Sequence, residues 1–125
     1  MKVYIAETPE RGRGVFASSH LIKDELVESA RVLVIPSEEK HIIMKTVLSS
    51  YLFHEWGEDG TELALALGIG SLFNHSYNPN TVFAYNLTEQ TIEFRLLKDV
   101  NGCEELLVNY NGDPNDSTPV WFDVK

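Results

Sequence analysis

The chain of 125 residues has little cysteine, few basic residues and no long apolar run. Its single cysteine, Cys103, has no partner for an intramolecular disulfide and excludes a cysteine-rich zinc site. No apolar run approaches the roughly 20 residues of a membrane-spanning helix, and the N-terminal segment lacks the apolar core of a signal peptide. These absences predict a soluble, cytoplasmic protein of a reducing compartment that has no membrane partner.

Acidic residues outnumber basic ones, 19 to 10, which gives a formal net charge of −9. Direct nucleic-acid binding requires a basic face, so this balance disfavours it. An acidic surface attracts cationic partners such as lysine-rich peptides. It also keeps a protein in solution without any partner, and charge alone favours this second interpretation.

The composition is that of one globular domain. Hydrophobic residues make up 43% and charged residues 23% of the chain, which is close to the globular average and excludes a disordered protein. No linker or repeat divides the sequence, so we expect a single domain over residues 1–125. Short β-prone runs separated by turns predict a mainly β fold. The runs are Val3–Ala6, Val15–Ala17, Glu25–Ile35, Leu63–Leu67, Thr81–Leu87, Thr91–Leu97 and Leu106–Tyr110.

One segment has the pattern of a helix. Ser37 is a suitable N-cap, and two acidic residues follow it in the first turn. We therefore expect one helix that begins at Ser37 and ends before Gly57. Apolar and aromatic residues recur along it at helical spacing, at Ile43, Met44, Val47, Leu48 and Tyr51.

Several familiar constellations are incomplete. The glycine pairs at 12–14 and 68–70 do not open a helix in a complete dinucleotide-binding fingerprint, so each is expected to form a tight turn. The four histidines lack the His-Glu-x-x-His spacing, and no metal site is expected. A Cys103 nucleophile paired with a distant histidine is an alternative, but an incidental, partly buried cysteine is favoured over it.

The least ordinary segment runs from Phe73 to Asn80. It places asparagine, histidine and serine side chains around one proline and two aromatic residues. Such side chains form hydrogen-bonded turns, and composition alone favours a long polar turn. The alternative is a ligand-binding loop whose amides pair with a polar small molecule.

Three motifs together carry a family resemblance. They are RGRGVFA (Arg11 to Ala17), FNHSYNPN (Phe73 to Asn80) and EELLVNYNG (Glu104 to Gly112). Their order and spacing resemble those of SET-domain protein lysine methyltransferases, most of all the minimal viral and bacterial SET proteins. The resemblance covers essentially the whole chain. It implies a single SET domain with a β-clip-like fold of short strands, one helix and a knot-like C-terminal segment.

The sequence also departs from the family pattern. Ser71 and Leu72 stand where an arginine often opens the middle motif, and Cys103 displaces the glycine of the third motif. The cysteine-rich modules that flank larger SET domains are missing. Substrates of the larger relatives are therefore a weak guide to the substrate of this chain.

The resemblance implies methyl transfer from S-adenosyl-L-methionine to a neutral lysine amine of a basic, histone-like protein tail. The implied catalytic residues are Tyr110 and Tyr51. The implied cofactor-binding residues are Gly12, Arg13, Gly14, Asn74 and His75. The implied residues of the substrate channel are Phe83, Trp121 and Phe122.

Further expectations follow from the same resemblance. Phe83 lies where an aromatic residue helps to set the number of methyl groups, and phenylalanine there implies a di- or trimethylated product. Small relatives of this type are dimers, so a homodimer is expected. In a eukaryotic cell, or if exported to a host, the enzyme would act in the nucleus. The alternative function is a non-catalytic SET or β-clip module that binds peptides.

Overall fold

The computed structural model describes residues 1–122 and 124, and most of its regular structure is β-strand. Nine strands are found in this part of the chain. They are β1 (Val3–Thr8), β2 (Gly12–Ala17), β3 (Leu26–Ile35), β4 (Leu52–Trp56), β5 (Glu62–Ala66), β6 (Asn74–His75), β7 (Thr81–Asn86), β8 (Thr91–Leu96) and β9 (Glu105–Val108). The mainly β fold class is confirmed.

The strands form two sheets. The first has the order β1-β2-β9-β6 and the second the order β4-β5-β3-β8-β7. The pairs in both sheets are antiparallel except β6 with β9, which run parallel with Asn74 opposite Leu107. The ring of Phe73, just before β6, stacks on Phe94 of β8 at 4.2 Å between centroids. One core therefore joins the two sheets.

The predicted helix is much shorter than expected. The α-helix α1 covers only Lys40–Ile43, between 3-10 turns at Ser37–Glu39 and Val47–Ser50. Thr46 interrupts it with an extended backbone, and its hydroxyl donates to the Ile43 carbonyl at 2.7 Å. None of the three pieces has a buried residue, so no packing supports the apolar stripe. The expected Ser37 cap is also wrong, because Pro36 occupies the N-cap position without a side-chain bond.

Several other local expectations need correction. The strand β4 covers residues at the end of the predicted helix, and the two-residue strand β6 lies inside the predicted polar turn. Strand β2 begins at Gly12 and includes the glycine pair at 12–14, for which a tight turn is expected from the sequence. Cys103 is exposed rather than partly buried, and its backbone φ of +70° is left-handed. In the described residues, no helix is long and apolar enough to cross a membrane.

Side-chain amides hold the segment after β9. Asn109 donates to the Asp116 carbonyl at 2.7 Å, and Asn111 donates to the Thr118 carbonyl at 2.8 Å. The Tyr77 hydroxyl donates to the same Thr118 carbonyl at 3.2 Å and accepts from the backbone N–H of Val120 at 3.2 Å. These bonds tie the C-terminal segment to the loop after β6 and so position the two aromatic residues that follow.

Candidate active site

A cavity of about 740 Å³ opens beside β4, β7 and the end of β9. Its walls are largely aromatic, and a backbone carbonyl and hydroxyl groups supply polar atoms within it. A cavity of this size and lining suits an elongated ligand with an apolar body and one polar end. The phenylalanine, tyrosine and tryptophan residues that line it are Tyr51, Phe53, Phe73, Phe83, Tyr85, Tyr110 and Trp121.

Two hydrogen bonds hold Tyr110 in the cavity. Its hydroxyl donates to the Phe73 carbonyl at 2.7 Å, and its backbone N–H donates to Nδ1 of His75 at 2.9 Å. The ring of Trp121 stacks on it at 5.7 Å with an interplanar angle of 20°. Burial, with smaller contributions from Glu105 and Tyr51, raises the pKa of Tyr110 to about 12. The phenol is therefore protonated at neutral pH and cannot serve as a general base.

A second cluster of polar residues lies where β2 meets β9 and β6. The Arg11 guanidinium pairs with Oε1 of Glu105 at 2.9 Å, and Oε2 of Glu105 accepts from the Asn74 amide at 2.8 Å. The same amide donates to the Arg13 carbonyl at 3.0 Å. A Cβ on Gly14 would overlap Oε2 of Glu105 and lie 2.9 Å from the Asn74 nitrogen. Glycine at this position is what allows the three side chains to meet.

His75 follows Asn74 of the polar cluster in the chain and contacts Tyr110 of the cavity. It is only 3% exposed, and because its Nδ1 accepts from the Tyr110 backbone, its Nε2 carries the ring hydrogen. No hydrogen-bond partner for this buried Nε2 is found within residues 1–122 and 124. Its ring meets Tyr77 edge-on at 4.5 Å and Phe122 edge-on at 6.1 Å. The imidazole therefore holds the backbone at Tyr110 and supports the aromatic residues around it.

Burial of His75 predicts that stability depends on pH. Desolvation lowers the pKa of His75 below 6.5, and desolvation followed by the charge of Lys40 lowers the pKa of His54. Below the unfolded pKa, the unfolded chain binds protons that the folded chain does not. The free energy of unfolding should therefore fall as the pH drops from about 7.5 to about 5.5.

Denaturant titrations across this pH range test the prediction. His75→Gln should flatten the pH dependence in part, because glutamine keeps an acceptor for the Tyr110 N–H without titrating. His54→Gln should remove a separate part of it. The low pKa of Asp116, which follows from its bonds to Thr118, acts only at more acidic pH. An unfolding midpoint that is constant over the range would contradict the assignment.

The structure divides the residues that the sequence suggested into two neighbouring groups. Tyr51, Phe83, Tyr110 and Trp121 line the cavity. The Asn74 amide joins the Arg13 carbonyl to Glu105, and Gly14 lies against both side chains. Phe122 is not among the lining residues, but its ring lies 5.9 Å from that of Tyr110. Trp121 is 65% exposed and Tyr51 37% exposed, so both form part of the rim.

Sequence reasoning missed three residues of this region. Phe53 and Tyr85 line the cavity, and Glu105 organises the polar cluster. Glu105 belongs to the motif EELLVNYNG, but no pattern in the sequence indicates that its carboxylate meets Asn74, 31 positions away. Phe53 lies in the segment predicted to be helical, so the sequence did not indicate that it belongs to a strand, β4.

Two alternative site chemistries find no support from geometry. Cys103 does not line the cavity, and its thiol instead lies beside the phenol of Tyr4, where it raises the pKa of that phenol. In the described part of the chain, no three His, Cys, Asp or Glu side chains are grouped to hold a metal ion.

Comparisons with known proteins point in one direction. Residues 12–111 match the SET domain family. Over 120 residues the chain is 33% identical to a histone-lysine N-methyltransferase of Schizosaccharomyces pombe that is specific for lysine 37 of histone H3. That match spans 95% of this chain and 76% of the relative.

Solved structures agree with the sequence comparison. A candidate histone methyltransferase of Plasmodium falciparum has a TM-score of 0.69 at 25% identity, over 90% of this chain and 99% of its own. CpSET8 of Cryptosporidium has a TM-score of 0.70 at 27% identity, over 94% of this chain and 59% of its own.

Proposed function

The chain belongs to the SET-domain family of protein lysine methyltransferases, and we propose that it transfers methyl groups from S-adenosylmethionine to a lysine of a basic protein segment, with a di- or trimethylated product. The observation that carries this proposal is the aromatic cavity in which Tyr110 is fixed through its hydroxyl and its backbone. A lysine side chain has the apolar body and the polar end that such a cavity suits.

The chemistry of the polar cluster fits the cofactor. The Glu105 carboxylate and the Asn74 amide suit an ammonium group, and the exposed Arg13 side chain suits a carboxylate. Nothing lies within 4 Å of the place where a Cβ on Gly12 would be, which leaves room for a ligand against the backbone. His75 is the residue after Asn74, and its buried Nε2 is a further donor, for which no partner is found in residues 1–122 and 124. We assign Gly12, Arg13, Gly14, Asn74 and His75 to this role.

When bound, S-adenosylmethionine supplies a methyl group on a positively charged sulfur, which makes that carbon electrophilic. The residues of the chain prepare the lysine. A lysine amine has an ordinary pKa near ~10.4 and must lose a proton before it can attack. The aromatic walls formed by Phe53, Phe83 and Tyr85 desolvate the ammonium and favour its neutral form, and the proton leaves to water.

Tyr110 acts by position rather than by accepting a proton. Its hydroxyl is committed to the Phe73 carbonyl as a donor, so its oxygen lone pairs remain available as a fixed acceptor. Tyr51 lies close enough for its phenol to contribute to the high pKa of Tyr110, which places two hydroxyl groups in one cavity. Holding an amine in line with a reactive carbon supplies much of the acceleration in such transfers.

Binding and turnover test the proposal separately. Calorimetric titration with S-adenosylmethionine should show a stoichiometric heat, whereas a non-catalytic peptide-binding module should show none. Incubation with the cofactor and purified core histones should add mass to lysine residues, as read by mass spectrometry. Cys103→Ala should leave this activity unchanged, and its loss in that variant would favour the cysteine-nucleophile alternative.

Phe83→Tyr should shift the product towards monomethyl-lysine. Phe83 is a wall of the cavity and packs edge-on against Phe53 at 5.0 Å. A tyrosine hydroxyl there would occupy space that a methylated amine needs and would hold a water beside it, whereas the phenylalanine ring can take a methylated ammonium against its face. Mass spectrometry of the product with excess cofactor measures the change.

A matched control separates product control from general packing. Phe16→Tyr places a hydroxyl on another half-buried ring, which stacks on Tyr4 at 5.6 Å and does not line the cavity. This variant should keep the product distribution of the wild type. A wild-type enzyme that stops at one methyl group would refute the di- or trimethyl assignment.

We also propose that the chain forms a homodimer. The segment 37–50 contributes no buried residue in its helical turns, and it leaves Ile42 59% and Val47 78% exposed. Exposed apolar residues grouped on one segment favour a protein contact, and a second copy is the simplest partner. Light scattering at micromolar concentration should give twice the chain mass, and Val47→Glu should reduce it. A monomer mass for the wild type would refute the proposal.

The charge of the chain supports a cationic substrate. With a net charge of −9 the protein attracts lysine-rich segments, and histone-like tails are of this kind. Such a substrate would place the enzyme in the nucleus or the cytoplasm. The fission-yeast relative acts on histone H3 by its description, so core histones are the first proteins to try.

A further inference from the structure

The rim of the cavity carries a carboxylate, Glu55, that the mechanism above does not use. Glu55 lies in β4 where the pairing with β5 shifts between Phe53 and Trp56. Its φ of +56° is left-handed, which is uncommon for a residue other than glycine. An irregularity of this kind redirects a side chain out of the regular alternation of a strand.

The neighbouring structure holds this irregularity in place. Trp56 is 3% exposed and packs on Tyr85 at 4.8 Å between ring centroids. The turn after it is closed by a hydrogen bond from the Gly60 N–H to the Gly57 carbonyl at 3.1 Å. A Cβ on Gly60 would lie 3.8 Å from that of Glu55, so the turn packs against Glu55. The orientation of Glu55 is thus built into the fold.

The carboxylate of Glu55 is available to a ligand. The residue is exposed, and within residues 1–122 and 124 no salt bridge to it is found. Its negative charge acts on a group inside the cavity: burial raises the pKa of Tyr85, and the charge of Glu55 raises it further. The Tyr85 hydroxyl itself donates to the His54 carbonyl at 2.7 Å.

We propose, on the basis of the proposed function, that Glu55 selects substrates in which a basic residue flanks the target lysine. Residues next to a lysine that enters the cavity must pass over its rim, where Glu55 lies. An arginine or lysine there can form a charge-assisted hydrogen bond to the carboxylate. An acidic residue at the same place is repelled, and like-charge contacts discriminate strongly between partners.

Synthetic peptides test this inference. Short peptides carry one central lysine, and each flanking position is in turn arginine, glutamine or glutamate. Methylation by the whole chain is followed by mass spectrometry. For at least one flanking position, the wild type should methylate the arginine peptide about tenfold more efficiently than the glutamate peptide.

Substitutions that change the charge at position 55 then test whether Glu55 causes this preference. Glu55→Arg should reverse the preference towards glutamate, and Glu55→Gln should bring the two peptides close together. Glu89→Arg is the matched control, because it makes the same change in net charge at an exposed turn that does not line the cavity. It should keep the wild-type preference.

The outcomes separate this inference from the function on which it rests. A preference that is the same in the wild type and in both Glu55 variants overturns the role of Glu55 and leaves the methyltransferase function intact. If the wild type methylates the arginine, glutamine and glutamate peptides equally well, the role of Glu55 is likewise overturned and the methyltransferase function stands. If none of the peptides and none of the core histones gains a methyl group, the proposed function fails and this inference fails with it.

Discussion

Tyr110→Phe should lower turnover by about a hundredfold or more while the fold and cofactor binding persist. The change removes one oxygen whose place is set by the Phe73 carbonyl at 2.7 Å and by the backbone bond to His75. Losing a positioned group in a transfer reaction costs rate far more than it costs stability. The Phe73 carbonyl loses its hydrogen-bond donor, which should reduce the free energy of unfolding by only about 1 kcal/mol.

Tyr85→Phe is the control for this prediction. Tyr85 lines the same cavity, is half-buried as Tyr110 is, and donates its hydroxyl to a backbone carbonyl at 2.7 Å. Its removal should cost similar stability but much less turnover. Single-turnover rates with saturating cofactor, together with thermal unfolding, measure both quantities. Equal losses of turnover in the two variants, or near-normal turnover in Tyr110→Phe, would contradict the role assigned to Tyr110.

Gly14→Ala should weaken the binding of S-adenosylmethionine by at least about tenfold. The added methyl group would overlap Oε2 of Glu105 and lie 2.9 Å from the Asn74 amide nitrogen. Glu105 cannot move away without losing the bonds that hold it to Arg11 and Asn74. Gly14 does not have a left-handed φ, so the effect is steric and not one of backbone strain.

Gly102→Ala provides the comparison. It also lies outside the left-handed region, and the nearest atom to its added Cβ is 3.4 Å away, in Ser19. This variant should bind the cofactor as the wild type does. Calorimetric titration gives the affinity of each variant without reference to activity. Unchanged affinity in Gly14→Ala would show that the polar cluster around Glu105 is not the cofactor site.

The helix prediction shows where local pattern misleads. The spacing of Ile43, Val47 and Tyr51 fits a helix, yet the α-helix is four residues long and Tyr51 directly precedes a strand. A helical stripe is stable in a small domain only where another element covers it. The two sheets instead close their core around Phe73 and Phe94, and the segment 37–50 is left at the surface.

The sequence by itself determined what depends on short-range chemistry. Alternating β-branched runs predicted most of the strands, and turn residues predicted their ends. The motifs around Asn74 and Tyr110 carried the family resemblance, because a family motif is defined by residue types and their spacing, and both can be read from the sequence. The absence of cysteine partners excluded disulfides and a cysteine-rich zinc site without any structural information.

The tertiary structure alone decided which distant residues meet. Arg11 and Glu105 are 94 positions apart, and Asn74 and Glu105 are 31 apart, yet the pairing of β9 with both β2 and β6 brings all three to one place. The Trp121 ring reaches Tyr110 because hydrogen bonds from the side-chain amides of Asn109 and Asn111 fold the segment between them. Local residue patterns do not encode such contacts, because the register between strands is settled only when the whole core packs.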